Sequence, residues 1–258
     1  MYELAKLEAA LAGKVFAGLQ FAPQTDSTNS DAMAAARNGA PHGSVFFADE
    51  QLAGRGRGDH AWRSAAGEGL YASVLLRPRI PALRLPLLPL VVGLAAAEAI
   101  QATAGLRVDL RWPNDLLIGP RKVGGILVEA RNSGSSVDFA VVGIGINVHQ
   151  REFEAGLSTP ATSLDLETGN RVSRQELLVS LLKSLERELA ELADAAAGVT
   201  IPARVERAST WIRGRQVEVH GPQACIGTTD GLDEHGFLRV RTANGLVTVQ
   251  TGGIRAVG

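Results

Sequence analysis

Glycine and arginine alternate in one short stretch, Gly54-Arg55-Gly56-Arg57-Gly58, and Trp62 follows it. Glycine lets the backbone approach an anion closely, and arginine presents a planar charged fork that matches carboxylate and phosphate oxygens. The stretch therefore has the chemistry of a phosphate-binding loop, and Trp62 could lie against a base. The alternatives are a flexible solvated turn, or an arginine-glycine patch that binds single-stranded nucleic acid.

The composition narrows the class of protein. The formal net charge at pH 7 is -1, so the chain lacks the basic footprint typical of nucleic-acid binding, and we expect no nucleic-acid partner. Hydrophobic residues make up 45% of the chain, enough to bury a full core. Cys225 is the single cysteine, which excludes an internal disulfide or a zinc site of several thiolates and favours a reducing compartment.

The longest apolar run does not indicate a membrane segment. It extends from Leu85 to Ile100, is interrupted by prolines and Glu98, and falls short of the roughly 20 residues that a spanning helix needs. The first eight residues carry acidic side chains and resemble neither a secretory signal nor an anchor. We therefore predict a core helix here, a cytoplasmic location and no membrane partner.

The predicted strands and helices place the glycine-arginine loop between two core strands, Val45 to Ala48 and Leu70 to Leu76. Binding residues often lie on loops that rigid elements hold in place, so this arrangement favours a functional loop. Helices are predicted from Thr28 to near Gly39, from about Leu87 to Ala104, and from Ser173 to about Leu192. Thr28 with Asp31, and Ser173 with Glu176, fit capping boxes.

Short turns after Pro113 predict an antiparallel meander. A hairpin of Leu116 to Ile118 with Lys122 to Glu129 is followed by a strand from Val137 to Asn147. By local rules alone Lys122 is a solvated charge at a sheet edge. Several short strands from Arg215 onward, with a strong hairpin signal at Asn244-Gly245, predict a small appended barrel.

Five motifs resemble, in content and order, those of the biotin protein ligases, also called biotin–[acetyl-CoA-carboxylase] ligases. They are Asp26 to Asn29, Glu50 to Arg57 with Trp62, Arg111 to Asp115, Lys122 to Glu129 and Gly143 to Asn147. Each is weak alone, but the series is specific. The resemblance implies an α+β fold: a class II synthetase-like catalytic domain over residues 1–211, with a mixed, largely antiparallel sheet flanked by helices, and an SH3-like β-barrel over residues 212–258.

The same resemblance implies a ligase. Biotin and ATP, with Mg²⁺, would form biotinyl-5′-AMP, and biotin would then pass to one lysine of the biotin carboxyl carrier domain of acetyl-CoA carboxylase. Some relatives carry an N-terminal DNA-binding domain and act as repressors. Since only some 25 residues precede the Ser-Thr-Asn motif, we expect the monofunctional form. A homodimer is possible.

The resemblance also assigns roles to individual residues. Arg57 and Lys122 would be catalytic and would bind the biotin carboxylate and the α-phosphate. The other residues that would contact biotin are Ser27, Thr28, Asn29 and Gln51 at its ureido end, and Arg55, Gly56, Gly125 and Gly145 along its cavity. Those around the nucleotide are Trp62, stacked on the adenine, with His60, Arg111, Asn114 and Asn147, while Asp115 would help to hold Mg²⁺.

His60 stands where relatives often carry arginine, which makes a phosphate contact there dependent on histidine protonation. Two other functions compete with the biotin ligase. One is a lipoate-type protein ligase, which is not expected to combine Gly-Arg-Gly-Arg with a C-terminal barrel. The other is a non-catalytic ligand-binding or repressor module, which would bind a ligand without labelling a carrier.

Overall fold

The computed structural model describes residues 2–58, 60–194 and 196–257, which form two β-sheets and six α-helices. A 3₁₀ helix spans Ala82–Leu87. The helices are α1 (Leu4–Ala10), α2 (Thr28–Arg37), α3 (Leu88–Ala104), α4 (Leu164–Thr168), α5 (Arg174–Ala193) and α6 (Ala197–Arg207). The strands are β1 (Gly18–Thr25), β2 (Ser44–Gln51), β3 (Gly69–Leu76), β4 (Asp109–Arg111), β5 (Asp115–Ile118), β6 (Arg121–Ser133), β7 (Ser136–Asn147), β8 (Arg213–His220), β9 (Cys225–Leu232), β10 (Leu238–Thr242), β11 (Gly245–Val249) and β12 (Gly253–Ala256).

The larger sheet has seven strands in the order β1-β2-β3-β7-β6-β5-β4. Only β1 and β2 run parallel to each other, and the remaining neighbours are antiparallel. The predicted meander of β5, β6 and β7 and the mixed α+β class are confirmed. Strand β1 was not predicted, because its exposed and partly buried positions do not alternate regularly.

The core lies between the larger sheet and the helices α3 and α5, which pack against each other. Every residue of β3 is buried, and the leucines of α5 line one buried face. The Ser173 side chain accepts a hydrogen bond from the Glu176 backbone nitrogen at 3.2 Å, as the predicted capping box requires. Gly105 ends α3 in the left-handed conformation, with φ of 69°.

The stretch Ala82–Ala104 is long and apolar enough to cross a membrane by length and composition alone. More than half of its most apolar window is buried in the protein, and α3 carries ten fully buried residues. The prediction of a core helix is consistent with this packing, because the apolar side chains contact the core.

The capping box predicted at Thr28 and Asp31 is wrong. Ser27 is the N-cap of α2 and makes no side-chain cap bond, while Thr28 is the first helical residue. Asp31 instead accepts a hydrogen bond from the Thr25 hydroxyl at 2.7 Å. Consequently the hydroxyl of Thr28 is used in contacts away from the helix terminus.

The smaller sheet has five antiparallel strands in the order β11-β10-β9-β8-β12. The Asn244-Gly245 hairpin is confirmed, since Thr242 pairs with Gly245. Within the described ranges β11 and β12 do not pair with each other, so this sheet is open rather than a closed barrel. The Trp112 indole nitrogen donates to the Gly236 carbonyl at 3.0 Å and joins the two sheets.

The two N-caps give a test of this local structure. Ser173→Ala removes a real cap bond and should lower the free energy of unfolding by about 1 kcal/mol, which lowers Tm by roughly 2 to 4 °C for a chain of this size. Ser27→Ala removes a buried hydroxyl that makes no cap bond, so its loss of unfolding free energy should be smaller than that of Ser173→Ala. Thermal unfolding of both variants would contradict the assignment if their losses were equal.

Candidate active site

A largely buried group of polar side chains, the polar pocket, lies where α2 begins and is formed by Thr28, Asn29, Gln51 and Ser73. The Thr28 backbone nitrogen donates to Gln51 Oε1 at 2.9 Å. The Thr28 hydroxyl oxygen lies 3.1 Å from Gln51 Oε1 and 2.7 Å from Ser73 Oγ. Ser73 Oγ donates to Asn29 Oδ1 at 2.6 Å. Ser27, also buried, precedes this pocket on the chain.

Ser73 was not predicted from the sequence as a site residue. It is fully buried in the middle of β3, where its neighbours along the strand are almost all apolar. A buried hydroxyl needs a hydrogen-bond partner, so a single serine in an apolar strand indicates a polar contact within the core.

Glu129 on β6 holds the rim of this pocket. Arg55 donates to both of its carboxylate oxygens, at 3.0 and 2.5 Å, and Asn29 Nδ2 donates to Oε2 at 2.9 Å. A bidentate pair of this kind fixes the orientation of the guanidinium group. Glu129 closes one of the five motifs, but no role was predicted for it.

The glycine-arginine loop is folded back on itself by backbone hydrogen bonds. The Trp62 nitrogen donates to the Gly54 carbonyl at 2.8 Å, and the Gly56 nitrogen donates to the His60 carbonyl at 2.7 Å. A Cβ atom on Gly54 would lie 2.3 Å from the Trp62 carbonyl oxygen, so only glycine fits there. The His60 side chain is exposed, and its adenylate contact stays a prediction.

Strand register places Asp115, Gly125 and Gly145 side by side on β5, β6 and β7. The Trp62 ring lies over the two glycines: a Cβ atom on Gly145 would lie 2.6 Å from Cε2 and Nε1, and one on Gly125 would lie 3.4 Å from Cζ3. Trp62 Nε1 is buried and has no acceptor among the described residues. The stacking of Trp62 on adenine stays a prediction. In the structure its ring contacts Gly125 and Gly145, the two glycines expected to line the biotin cavity.

Positive charge converges on Asp115. Lys122 Nζ lies 2.5 Å from Oδ1, and Arg111 donates to Oδ2 through Nη2 at 2.6 Å and Nε at 3.1 Å. Burial alone would raise the pKa of Asp115, but the two cations outweigh it and hold the pKa below its ordinary value. The carboxylate is therefore ionised at neutral pH.

Arg57 approaches the same region from the loop. It donates to Asn114 Oδ1 at 3.4 Å and to the Gly252 carbonyl in the smaller sheet. Burial lowers the pKa of Arg57, and the nearby Asp115 opposes that shift. Both of its hydrogen-bond acceptors are uncharged, so its charge is not neutralised by them.

The local expectation of a solvated edge lysine at position 122 is wrong. The Lys122 side chain is 28% exposed, is paired with Asp115, and lies with Nζ 5.4 Å from the centre of the Trp62 ring. Its backbone nitrogen donates to the Pro160 carbonyl at 2.7 Å, so a neighbouring segment covers this edge.

The contacts of Asp115 do not fit the expected magnesium ligand. Both of its oxygens accept from cationic side chains, whose positive charge would oppose the binding of a metal ion there. Across residues 2–58, 60–194 and 196–257, no three His, Cys, Asp or Glu side chains converge as a metal-binding group.

Arg111 and Asn147 are used in holding neighbouring segments. Arg111 also donates to the Thr159 hydroxyl at 2.9 Å. Asn147 Nδ2 donates to the Thr162 carbonyl at 3.0 Å, and Asn147 Oδ1 accepts from Gln150 at 3.3 Å. Their expected contacts with the nucleotide stay predictions.

Comparison with known proteins agrees with this geometry. A model of the biotin/lipoate A/B protein ligase family matches residues 21–147. The biotin–[acetyl-CoA-carboxylase] ligase of Paracoccus denitrificans is 35% identical over 228 residues, which are 84% of this chain and 92% of that protein. The bifunctional ligase/repressor BirA of Bacillus subtilis is 39% identical over 163 residues, 62% of this chain, and the matched region spans half of its length.

Among solved structures, the biotin protein ligase of Aquifex aeolicus in complex with biotin and ATP superposes with a TM-score of 0.79 at 32% identity. The match covers 93% of this chain and 98% of that chain. The fold is therefore that of the biotin protein ligases to which the chain is similar. The chain belongs to the biotin/lipoate A/B protein ligase family.

The packing of Trp62 on Gly145 can be tested by substitution. Gly145→Ala places a methyl group where the indole lies, so the ring should be displaced into water and the tryptophan emission should shift to longer wavelength. Gly253→Ala is the matched control, since a Cβ atom there meets nothing within 4 Å. An unchanged emission spectrum for Gly145→Ala would contradict the contact.

Proposed function

We propose that this protein is an ATP-dependent biotin protein ligase. In the first step a biotin carboxylate oxygen attacks the α-phosphorus of ATP, and pyrophosphate leaves as biotinyl-5′-AMP forms. In the second step the ε-amine of a carrier lysine attacks the acyl carbon of that mixed anhydride, AMP leaves, and an amide bond forms. The proposed acceptor is the biotin carboxyl carrier domain of acetyl-CoA carboxylase, and the Paracoccus relative carries acetyl-CoA carboxylase in its name.

One observation carries this proposal: three cationic side chains surround a single carboxylate beside a polar pocket. Arg111 and Lys122 share Asp115, while Arg57 lies next to them with neutral partners. The surplus positive charge suits a ligand that brings a carboxylate and a phosphate together. Such charge also stabilises the negative charge that develops as the phosphate is displaced.

The polar pocket supports the choice of ligand. A urea carries one carbonyl and two N–H groups, and each needs a partner when it is buried. Hydroxyl and amide groups of Ser27, Thr28, Asn29 and Gln51 are of the type that satisfies them. Lipoate has no urea, so it offers no carbonyl and N–H groups that would match these polar side chains.

Arg57 and Lys122 would bind the carboxylate and α-phosphate and hold them within reach of each other. Gly125 and Gly145 would let the ligand approach the sheet, with Arg55 and Gly56 at the rim. Trp62, His60, Asn114 and Asn147 are proposed for the nucleotide. Mg²⁺ is proposed to arrive with the ATP phosphates as part of the substrate, because the Asp115 contacts do not fit a resident ion.

The finer expectations about architecture and setting also stand as proposals. They are a class II synthetase-like domain over residues 1–211, an SH3-like barrel over residues 212–258 built from the open five-stranded sheet, a cytoplasmic location, and a homodimer without a nucleic-acid partner. The change of sheet just before β8 supports the boundary.

Carrier labelling tests the function. The protein should attach biotin to a biotin carboxyl carrier domain only when ATP is present, and should leave a lipoyl domain supplied with lipoate unlabelled. A carrier whose acceptor lysine is replaced by arginine controls for nonspecific acylation. Transfer of lipoate, or ATP-dependent binding of biotin with no labelled carrier, would favour one of the two competing functions instead.

A further inference from the structure

Glu129 contacts two different parts of the proposed biotin site at once. Its carboxylate accepts two hydrogen bonds from Arg55 and one from Asn29 Nδ2, and its side chain is 26% exposed. A carboxylate is only an acceptor, so both neighbours must present N–H groups to it. Glu129 therefore fixes which end of the Asn29 amide faces the polar pocket.

The orientation of Asn29 is passed along the pocket. With Nδ2 directed to Glu129, Asn29 Oδ1 faces Ser73 Oγ at 2.6 Å, and Ser73 must donate there. Ser73 then has no hydrogen left for Thr28. The single Thr28 hydrogen can serve Ser73 at 2.7 Å or Gln51 at 3.1 Å, and we assign it to the shorter contact. Two hydroxyl hydrogens are thereby assigned to the two shortest oxygen-oxygen contacts.

The third contact is left without a hydrogen. Thr28 Oγ1 lies 3.1 Å from Gln51 Oε1, and the Gln51 amide is fixed because Oε1 accepts from the Thr28 backbone nitrogen while Nε2 donates to Ser64 at 2.7 Å. Two neighbouring acceptor oxygens therefore face each other. Such a pair is stabilised by a donor from outside, and an N–H group of a ligand is one.

We propose that Glu129 is a positioning residue for ligand recognition. By fixing Asn29 it directs the hydrogens of Ser73 and Thr28 away from Gln51, so that the pocket offers Thr28 Oγ1 and Gln51 Oε1 as acceptors to a ureido N–H group. The inference rests on the proposed function, in which biotin supplies that urea. Ser73 is the relay between Glu129 and Thr28.

Glu129→Gln tests the idea, because the glutamine amide can donate and so allows Asn29 to turn over. The KM for biotin should rise about tenfold, the effect of losing roughly one net hydrogen bond to the ligand. The KM for ATP and kcat should stay within about twofold, since groups at the phosphate are not involved. The ratio of the KM for biotin methylated at a ureido nitrogen to the KM for biotin should fall. A loss of protein stability alone would not change this ratio.

Ser73→Ala interrupts the same relay and should raise the KM for biotin similarly. If the two residues act through one chain of hydrogen bonds, the double variant should resemble either single variant rather than multiply their effects. Glu98→Gln is the matched control, since Glu98 pairs with Arg187 at 2.5 Å outside the described site and should leave every constant unchanged.

An unchanged KM for biotin in a folded Glu129→Gln protein would overturn the proposal, and so would multiplicative effects in the double variant. If Glu129→Gln does not fold, an unchanged KM in Ser73→Ala overturns it and a raised KM with narrowed discrimination supports it. A wild-type protein that forms no biotinyl-5′-AMP would overturn the proposed function and this inference together. An active wild-type protein with unaffected variants would overturn only the role of Glu129.

Discussion

The site depends on an excess of positive charge, which a single carboxylate balances only in part. Asp115 pairs with Arg111 and Lys122, and it is almost fully surrounded by protein. Removing ions from water is costly unless they are paired, so the arrangement is stable only with close geometry. The register brings Asp115 level with Gly125 and Gly145, and the Trp62 ring covers both glycines. An anionic ligand would complete the balance of charge.

The smaller sheet takes part in the same arrangement. Arg57 donates to the Gly252 carbonyl in the turn between β11 and β12, where φ of Gly252 is +124° and a Cβ atom would lie 2.0 Å from the His220 carbonyl oxygen. The turn thus requires glycine. Trp112, directly before Pro113 and Asn114, contacts Gly236 in the same sheet. The loop that brings Arg57 to the site is therefore supported by residues about 195 positions away in the chain.

Patterns local in sequence predicted the long elements well. Helix α5 and its Ser173 cap, the glycine that ends α3, and the β5 to β7 meander follow from periodicity and turn chemistry. Interactions between distant residues could not be predicted in this way. Thr28 resembles a capping residue until Gln51 and Ser73 are brought to it by the fold, and Lys122 resembles an edge charge until Asp115 and Trp62 surround it. The resemblance to a family named the site residues, and their roles stay predictions. Their contacts with Glu129 and Ser73 are visible only in the structure.

The rate of biotin-dependent pyrophosphate release by Lys122→Ala tests the central claim most directly. If surplus positive charge drives adenylation, the rate at saturating biotin and ATP should fall by about a hundredfold or more. The variant should remain folded, because Arg111 still pairs with Asp115. Lys14→Ala, which removes a loose pair with Glu186 at 3.8 Å, should keep the wild-type rate. A folded Lys122→Ala protein with a near wild-type rate would contradict the account.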